Sequence, residues 1–156
     1  MDKYKGHIKD ICLFCPLYRL FIIDFAIICF MRNTKDKGKL AESLAESFLK
    51  RKGFEILAKN FHVKHKELDI IALKSGKLVV FEVKSVSRET FDKDVLRETY
   101  DPSHNLTEKK LKNLIFATQA YLRLHGKHFR GFEIKLITVI YSKKEKRAQF
   151  KIYDLL

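Results

Sequence analysis

The sequence predicts a single α/β domain built on a mixed β-sheet. Two segments, residues 36–52 and 107–125, repeat apolar residues at the 3.6-residue spacing of an amphipathic helix. They lie on either side of a predicted β-hairpin, and short apolar runs complete the order helix, three strands, helix, two strands. Helices that precede and follow the hairpin are expected to cover both faces of the sheet. With 156 residues, the chain is long enough to bury one core.

The first helix and the three strands after it follow from periodicity and from turn residues. Gly53 supplies a stop for the first helix, and residues 54–61 form a short strand candidate. Residues 67–73 and 77–85 predict two strands around a Ser75-Gly76 turn. The apolar stripe of the helix consists of Leu40, Ala41, Leu44, Ala45, Phe48 and Leu49.

The second half of the chain begins with a polar segment. Residues 86–105 are highly charged and contain Pro102, so a long loop is predicted. The helix at 107–125 is expected to end at Gly126. Residues 132–141 and 149–153 then predict two strands that flank a basic turn at 143–147.

The hairpin brings acidic residues together at its open end. If Ser75 and Gly76 form a two-residue turn, Asp69 faces Glu82 and Glu67 faces Lys84. The opposite face is wholly apolar, which predicts a buried strand pair with three carboxylates and one lysine at one end. That apolar face holds Leu68, Ile70, Ala72, Val79, Phe81 and Val83.

This acidic cluster has two interpretations. Two carboxylates about 5 Å apart repel by roughly 3 kcal/mol at an effective dielectric constant near 20, and a divalent cation such as Mg²⁺ would remove the repulsion. Alternatively, Lys84 bridges Glu67 and Asp69 in an ion-pair ladder at a solvated sheet edge, without chemistry. The spacing alone favours the ladder.

Charge and cysteine content restrict the partner and the compartment. The net charge of +13 points to a polyanion such as nucleic acid or an acidic membrane surface rather than to a small acidic metabolite. A hydrophobic content of 46% excludes a chain that is only a disordered basic tail. Three cysteines cannot form a disulfide framework, so we expect a reducing, cytoplasmic location.

Residues 1–30 differ from the rest of the chain. They hold all three cysteines, and the remaining 126 residues carry a net charge of +12. The apolar run at 11–31 is interrupted by Pro16, Arg19 and Asp24, which makes a membrane span or an export signal a poor fit. Three interpretations remain for this segment: a weak membrane or partner helix, a core element, or a non-native extension before Met31, of which we favour the extension. Residues 31–156 are then the globular domain.

The acidic residues match a known pattern. Asp69, followed after thirteen positions by Glu82-Val83-Lys84 and preceded by a helix bearing Glu42, resembles the PD-(D/E)xK nuclease signature. From about residue 38 to 141 the chain is similar to the YraN-type family of uncharacterised bacterial proteins. It departs from the family pattern where Ala41 and Lys66 replace glycines and where Val86 replaces an arginine, whose role Arg88 would take over.

The resemblance implies a restriction-endonuclease-like three-layer fold, related to Holliday junction resolvases, and a metal-dependent nuclease. Asp69, Glu82, the backbone carbonyl of Val83 and Glu42 would hold Mg²⁺ or Mn²⁺, with Lys84 acting on water or on transition-state charge and Glu67 in support. The implied substrate is DNA rather than RNA, including branched or structured DNA. A homodimer is compatible with cutting two strands.

Basic residues near the cluster are candidates for phosphate contacts. These are Lys64, His65, Arg88, Lys109, Lys110 and Lys112. A nucleic-acid-binding protein that keeps the fold but cleaves nothing is the alternative. A third hypothesis, membrane association through residues 11–31, is less favoured.

Overall fold

The computed structural model describes residues 34–88, 106–125, 129–142, 144 and 147–156. The described part has the predicted element order. Its helices and strands are α1 (Thr34–Arg51), β1 (Glu55–Val63), β2 (Lys66–Lys74), β3 (Lys77–Arg88), α2 (Glu108–His125), β4 (Phe132–Ser142) and β5 (Arg147–Asp154).

Helix α1 ends where glycine permits a left-handed backbone. Gly53 has φ +79°, and the Gly53 N–H donates to the carbonyl of Lys50 while the Phe54 N–H donates to that of Leu49. These bonds satisfy carbonyls that the helix itself leaves without partners. All six residues of the predicted apolar stripe are buried, which confirms the periodicity.

The β2–β3 hairpin has the predicted register. Ser75 and Gly76 both have positive φ, 52° and 77°, as a type I′ turn requires. The ladder runs from Lys74↔Lys77 at the turn to Ile70↔Phe81.

The five strands form one mixed sheet in the order β1-β2-β3-β4-β5. Neighbouring strands are antiparallel except β3 and β4, which run parallel and are joined through α2. Strand β3 extends to Arg88, three residues into the predicted loop, because β4 supplies backbone partners as far as Arg88↔Ser142. A polar sequence cannot reveal such pairing. The rest of the predicted loop lies outside the described residues.

One helix packs on each face of the sheet, which confirms a three-layer α/β arrangement. Helix α1 shares a buried cluster with Ile70, Phe81 and Tyr141, and Phe48 of α1 stacks on Phe150 with ring centroids 4.3 Å apart. On the other face, Leu114 and Tyr121 of α2 pack among a second set of strand residues. Because successive side chains of a strand point to opposite faces of the sheet, each strand contributes residues to two separate hydrophobic layers.

The hypotheses about residues 1–30 fall outside the described residues. Within the described part, neither helix is long and apolar enough to cross a membrane.

Candidate active site

The sheet splits where Asp69 lies. Pairing between β2 and β3 ends at Ile70↔Phe81, while β2 continues beside β1 and β3 continues beside β4. The Asp69 side chain links the two strands where they separate, since its Oδ2 accepts a hydrogen bond of 2.7 Å from the backbone N–H of Val83. A side-chain oxygen thereby satisfies an N–H at the point where the β2–β3 ladder ends.

Strand β2 changes faces at the same point. Ile70 belongs to the cluster under α1, but Leu68 belongs to the cluster under α2, so the predicted shared face of these two residues is wrong. Asn60 is adjacent in β1, between partners Phe61↔Leu68 and Lys59↔Ile70, and has a left-handed φ of 49°. The left-handed backbone at Asn60 accompanies the point at which side chains of β2 stop alternating regularly between the two faces of the sheet. Asp69 is thereby left between the hydrophobic layer under α1 and the one under α2.

Glu82 is buried on the central strand and contacts two lysines. Its side chain is only 3% exposed, with Oε1 3.2 Å from Lys84 Nζ and Oε2 2.9 Å from Lys110 Nζ. The second contact is an ion pair without hydrogen-bond alignment, which leaves Oε2 as a buried oxygen that accepts no hydrogen bond. A buried carboxylate oxygen in this state is costly and is suited to a cation.

Burial, followed by the negative charge of Glu82, raises the pKa of Asp69 from its usual 3.8 to about 7. The Val83 N–H and the charge of Lys110 lower this pKa, and Glu42 on α1 raises it further. The Asp69 carboxyl is therefore influenced by α1 from one face and by α2 from the other. Glu82 and Glu42 thus both act electrostatically on the Asp69 carboxyl, although the predicted pair of Asp69 and Glu82 lies beyond the end of the β2–β3 ladder.

Two carboxylates elsewhere in the described part, Glu46 and Glu133, form ordinary ion pairs. Glu46 lies 2.8 Å from Lys50 and 2.6 Å from Lys59, and these lysines lower its pKa. Glu133 contacts Lys77 and Lys135 and has a lowered pKa for the same reason. A carboxyl whose pKa rises through burial and like charge is more typical of a functional site.

The predicted pairing of Glu67 with Lys84 does not form, because the β2–β3 ladder ends before it reaches them. Glu67 pairs with His62 of β1 instead, and its Oε1 lies 3.3 Å from His62 Nε2. The ion-pair ladder is also not at a solvated edge, since Glu82 is buried in the middle strand of the sheet. Lys84 contacts Glu82 rather than bridging Glu67 and Asp69.

The predicted phosphate-contacting residues occupy two regions. Lys64 and His65 form the exposed β1–β2 turn, and Lys64 Nζ lies 5.6 Å from the centre of the Phe116 ring of α2. Lys109 and Lys112 are exposed on the first turns of α2. Arg88 is the last residue of β3, and its side chain lies outside the described part.

Two residues have positions that the sequence analysis missed. Lys110 is predicted to contact nucleic acid, and in the structure it also contacts Glu82, which the sequence analysis did not foresee. Lys66 joins Lys64 over Phe116, with its Nζ 4.8 Å from the ring centre. Hydrophobic periodicity contained a signal for Lys110, since it lies four residues before buried Leu114 and so on the helix face that meets the sheet.

The acidic side chains of the site are carboxylates, the kind of ligand that Mg²⁺ and Mn²⁺ take in proteins. No group of three or more His, Cys, Asp or Glu side chains arranged for a metal exists among the described residues. Asp69 and Glu82 supply two carboxylates from the adjacent strands β2 and β3, and Mg²⁺ usually keeps several waters and takes one or two carboxylates. The buried Glu82 Oε2 supplies an oxygen without a hydrogen bond.

Comparison with known proteins places this site within one family. The model of "Uncharacterised protein family UPF0102" matches residues 41–150, a range that includes all the acidic residues and lysines of the site. A UPF0102 protein of Helicobacter hepaticus is 40% identical over 93 residues, covering 60% of this chain and 74% of the relative. One from Petrotoga mobilis is 36% identical over 104 residues, covering 66% and 85%. The predicted membership is thereby confirmed, and the chain belongs to the YraN-type family, UPF0102.

Proposed function

We propose that this protein is a metal-dependent nuclease of restriction-endonuclease-like fold that hydrolyses phosphodiester bonds in DNA. The observation that carries the proposal is the meeting of Asp69 and Glu82 at the split in the sheet, with Lys84 3.2 Å from Glu82. Two carboxylates and a lysine on adjacent strands are the groups of the PD-(D/E)xK signature. The net charge of +13 supports a nucleic-acid substrate.

Some residues of the site would hold a cation, and others would stabilise negative charge on the phosphate. Asp69, Glu82 and the Val83 carbonyl would hold Mg²⁺ or Mn²⁺, with Glu42 contributing from α1. A divalent cation at this position would polarise the phosphate and lower the pKa of a water molecule. Lys84 extends from the strand that bears Glu82 and is 43% exposed, so its ammonium group is accessible to a phosphate oxygen.

The overall reaction is a hydrolysis. The water oxygen forms a bond to phosphorus as the bond from phosphorus to the sugar oxygen breaks. The proton of the water passes to solvent, and the leaving oxygen takes a proton from solvent. Lys84 would offset the negative charge that develops on the phosphoryl oxygens in the transition state. A duplex cut on both strands would use two active sites, which two copies of the chain would supply.

One observation favours the alternative of a non-catalytic nucleic-acid-binding protein. Glu82 already has two lysine ammonium groups within 3.2 Å, which compensate its charge without a metal. Such a protein would keep the basic surface of the β1–β2 turn and α2 and would bind nucleic acid through phosphates alone.

The discriminating experiment incubates the purified full chain with duplex, single-stranded and four-way-junction DNA and with RNA, in Mg²⁺, in Mn²⁺ and in EDTA. We expect cleavage of DNA that requires the metal and is lost in Glu82→Ala and Lys84→Ala. Glu133→Ala is the matched control, since it removes a lysine-paired carboxylate from another part of the sheet.

Each outcome has a distinct meaning. Salt-dependent binding without cleavage by the native chain would support the non-catalytic alternative. Equal cleavage by the native chain and by both site variants would identify a contaminating nuclease. Cleavage of RNA alone would correct the substrate class.

A further inference from the structure

Lys110 is held at the site by the start of α2. Its backbone N–H donates 3.2 Å to Thr107 Oγ1, which caps the helix, and its Nζ lies 2.9 Å from Glu82 Oε2. Lys110 therefore comes from a different element than Glu82 and reaches across the α2 face of the sheet. Its side chain remains 38% exposed, so it has room to move towards solvent.

The two oxygens of Glu82 have different environments. Oε1 faces Lys84, which lies two residues away on the same strand. Among the described residues, Oε2 faces the ammonium group of Lys110, is buried and accepts no aligned hydrogen bond. Of the two Glu82 oxygens, Oε2 is the one whose hydrogen-bonding capacity is unused, so it is the oxygen at which a divalent cation would compete with Lys110.

The net charge of the site indicates when a divalent cation replaces Lys110 at Glu82 Oε2. When Glu42, Asp69, Glu82, Lys84 and Lys110 are all ionised, the group carries one net negative charge. A divalent cation would leave one net positive charge, which a single phosphodiester would balance. An ammonium group and a divalent cation at the same buried oxygen would repel each other, so Lys110 and the metal exclude one another there.

We propose that Lys110 is a positioning residue that occupies Glu82 Oε2 in the metal-free protein, competes with the divalent cation for that oxygen, and turns to the phosphate when the metal binds. This inference rests on the proposed nuclease function and adds a residue outside the PD-(D/E)xK signature. Lys110 keeps Glu82 in place before metal arrives. After the metal has replaced Lys110 at Oε2, the positive charge of Lys110 favours binding of the nucleic acid.

The test measures Mn²⁺ binding to the full chain by titration calorimetry, without nucleic acid. Lys110→Met and Lys110→Gln remove the competing charge and keep good helix formers, so folding is expected to persist. We expect Mn²⁺ affinity to rise roughly tenfold in both variants. Lys110→Arg retains the charge and should stay near the native affinity. Lys109→Met, one residue away, removes the same charge without a contact to Glu82 and is the control.

Cleavage at saturating Mn²⁺ supplies the second measurement. We expect Lys110→Met to lower kcat by about tenfold or more with little change in KM, and Lys110→Arg to restore part of kcat. An unchanged Mn²⁺ affinity in Lys110→Met, or an equal rise in Lys109→Met, would overturn the inference while leaving the nuclease proposal intact. Failure of the native chain to bind Mn²⁺ and to cleave would instead overturn the nuclease proposal.

Discussion

Asp69 Oδ2 and the backbone N–H of Val83 lie 2.7 Å apart, where the β2–β3 ladder ends. This single bond has a structural and an electrostatic effect. It links β2 to β3 where their ladder ends, and it holds the Asp69 carboxyl group in a partly buried position. The fold thus tolerates an unfavourable acidic pair that a divalent cation would relieve.

The first prediction concerns Asp69 and pH. Because the folded protein raises the pKa of Asp69 from 3.8 to about 7, it retains a proton that the unfolded chain releases between these values. Stability from this group is therefore greatest below pH 4 and falls as the pH rises to about 7, by at most roughly 4 kcal/mol. Asp69→Asn keeps an oxygen for the Val83 N–H and removes the charge.

We expect metal-free Asp69→Asn to be more stable than the native chain at pH 8, with a difference that shrinks at pH 5. Urea unfolding at both pH values, in EDTA, measures this. A difference that does not vary with pH would contradict the assigned pKa.

The second prediction concerns Glu42, which raises the pKa of Asp69 from the α1 side. Glu42→Gln should lower the pKa of Asp69, because it removes a like charge. Carboxyl ¹³C chemical shifts of Asp69, followed against pH by NMR, measure the change. Glu46→Gln lies four residues along the same helix and contacts Lys50 and Lys59, so it should leave Asp69 unchanged. If the titration of Asp69 is unaltered in Glu42→Gln, then Glu42 does not act on the Asp69 carboxyl and does not belong to the site.

Local patterns in the sequence predicted most of the fold. The Ser75-Gly76 turn fixed the hairpin register, because a two-residue turn allows one alignment of its strands and the positive φ angles suit this dipeptide. The six-residue apolar stripe of α1 was equally predictable, since helical spacing alone places these residues on one face of the helix.

Contacts between distant segments were not predictable in this way. The end of the β2–β3 ladder coincides with the left-handed Asn60 in β1 and with the parallel pairing of β3 with β4, neither of which appears in the hairpin sequence. The pairing of Glu67 with His62 follows from the β1–β2 ladder, which continues past the end of the β2–β3 ladder. The contact of Lys110 with Glu82 depends on where α2 crosses the sheet, which periodicity cannot fix.

The third prediction tests the layer under α1. Phe48 is 2% exposed and stacks on Phe150 of β5. Phe48→Ala should lower the free energy of unfolding by roughly 3–5 kcal/mol, because it leaves a cavity between helix and sheet. Urea unfolding measures the loss. Lys50→Ala changes an exposed side chain of the same helix and should cost far less; an equal cost for both variants would contradict the packing described for α1.

The fourth prediction concerns the basic surface formed by Lys64 and Lys66 over Phe116. If these ammonium groups contact phosphates, Lys64→Ala/Lys66→Ala should weaken DNA binding and reduce the slope of log K against log salt concentration by roughly 1.5 to 2. Fluorescence anisotropy at several salt concentrations measures both quantities. Lys52→Ala/Lys74→Ala is the matched control, because it removes two lysines that also lie over aromatic rings, those of Phe48 and Phe54. Equal losses of slope in the two double variants would mean that net charge alone, and not this surface, determines binding.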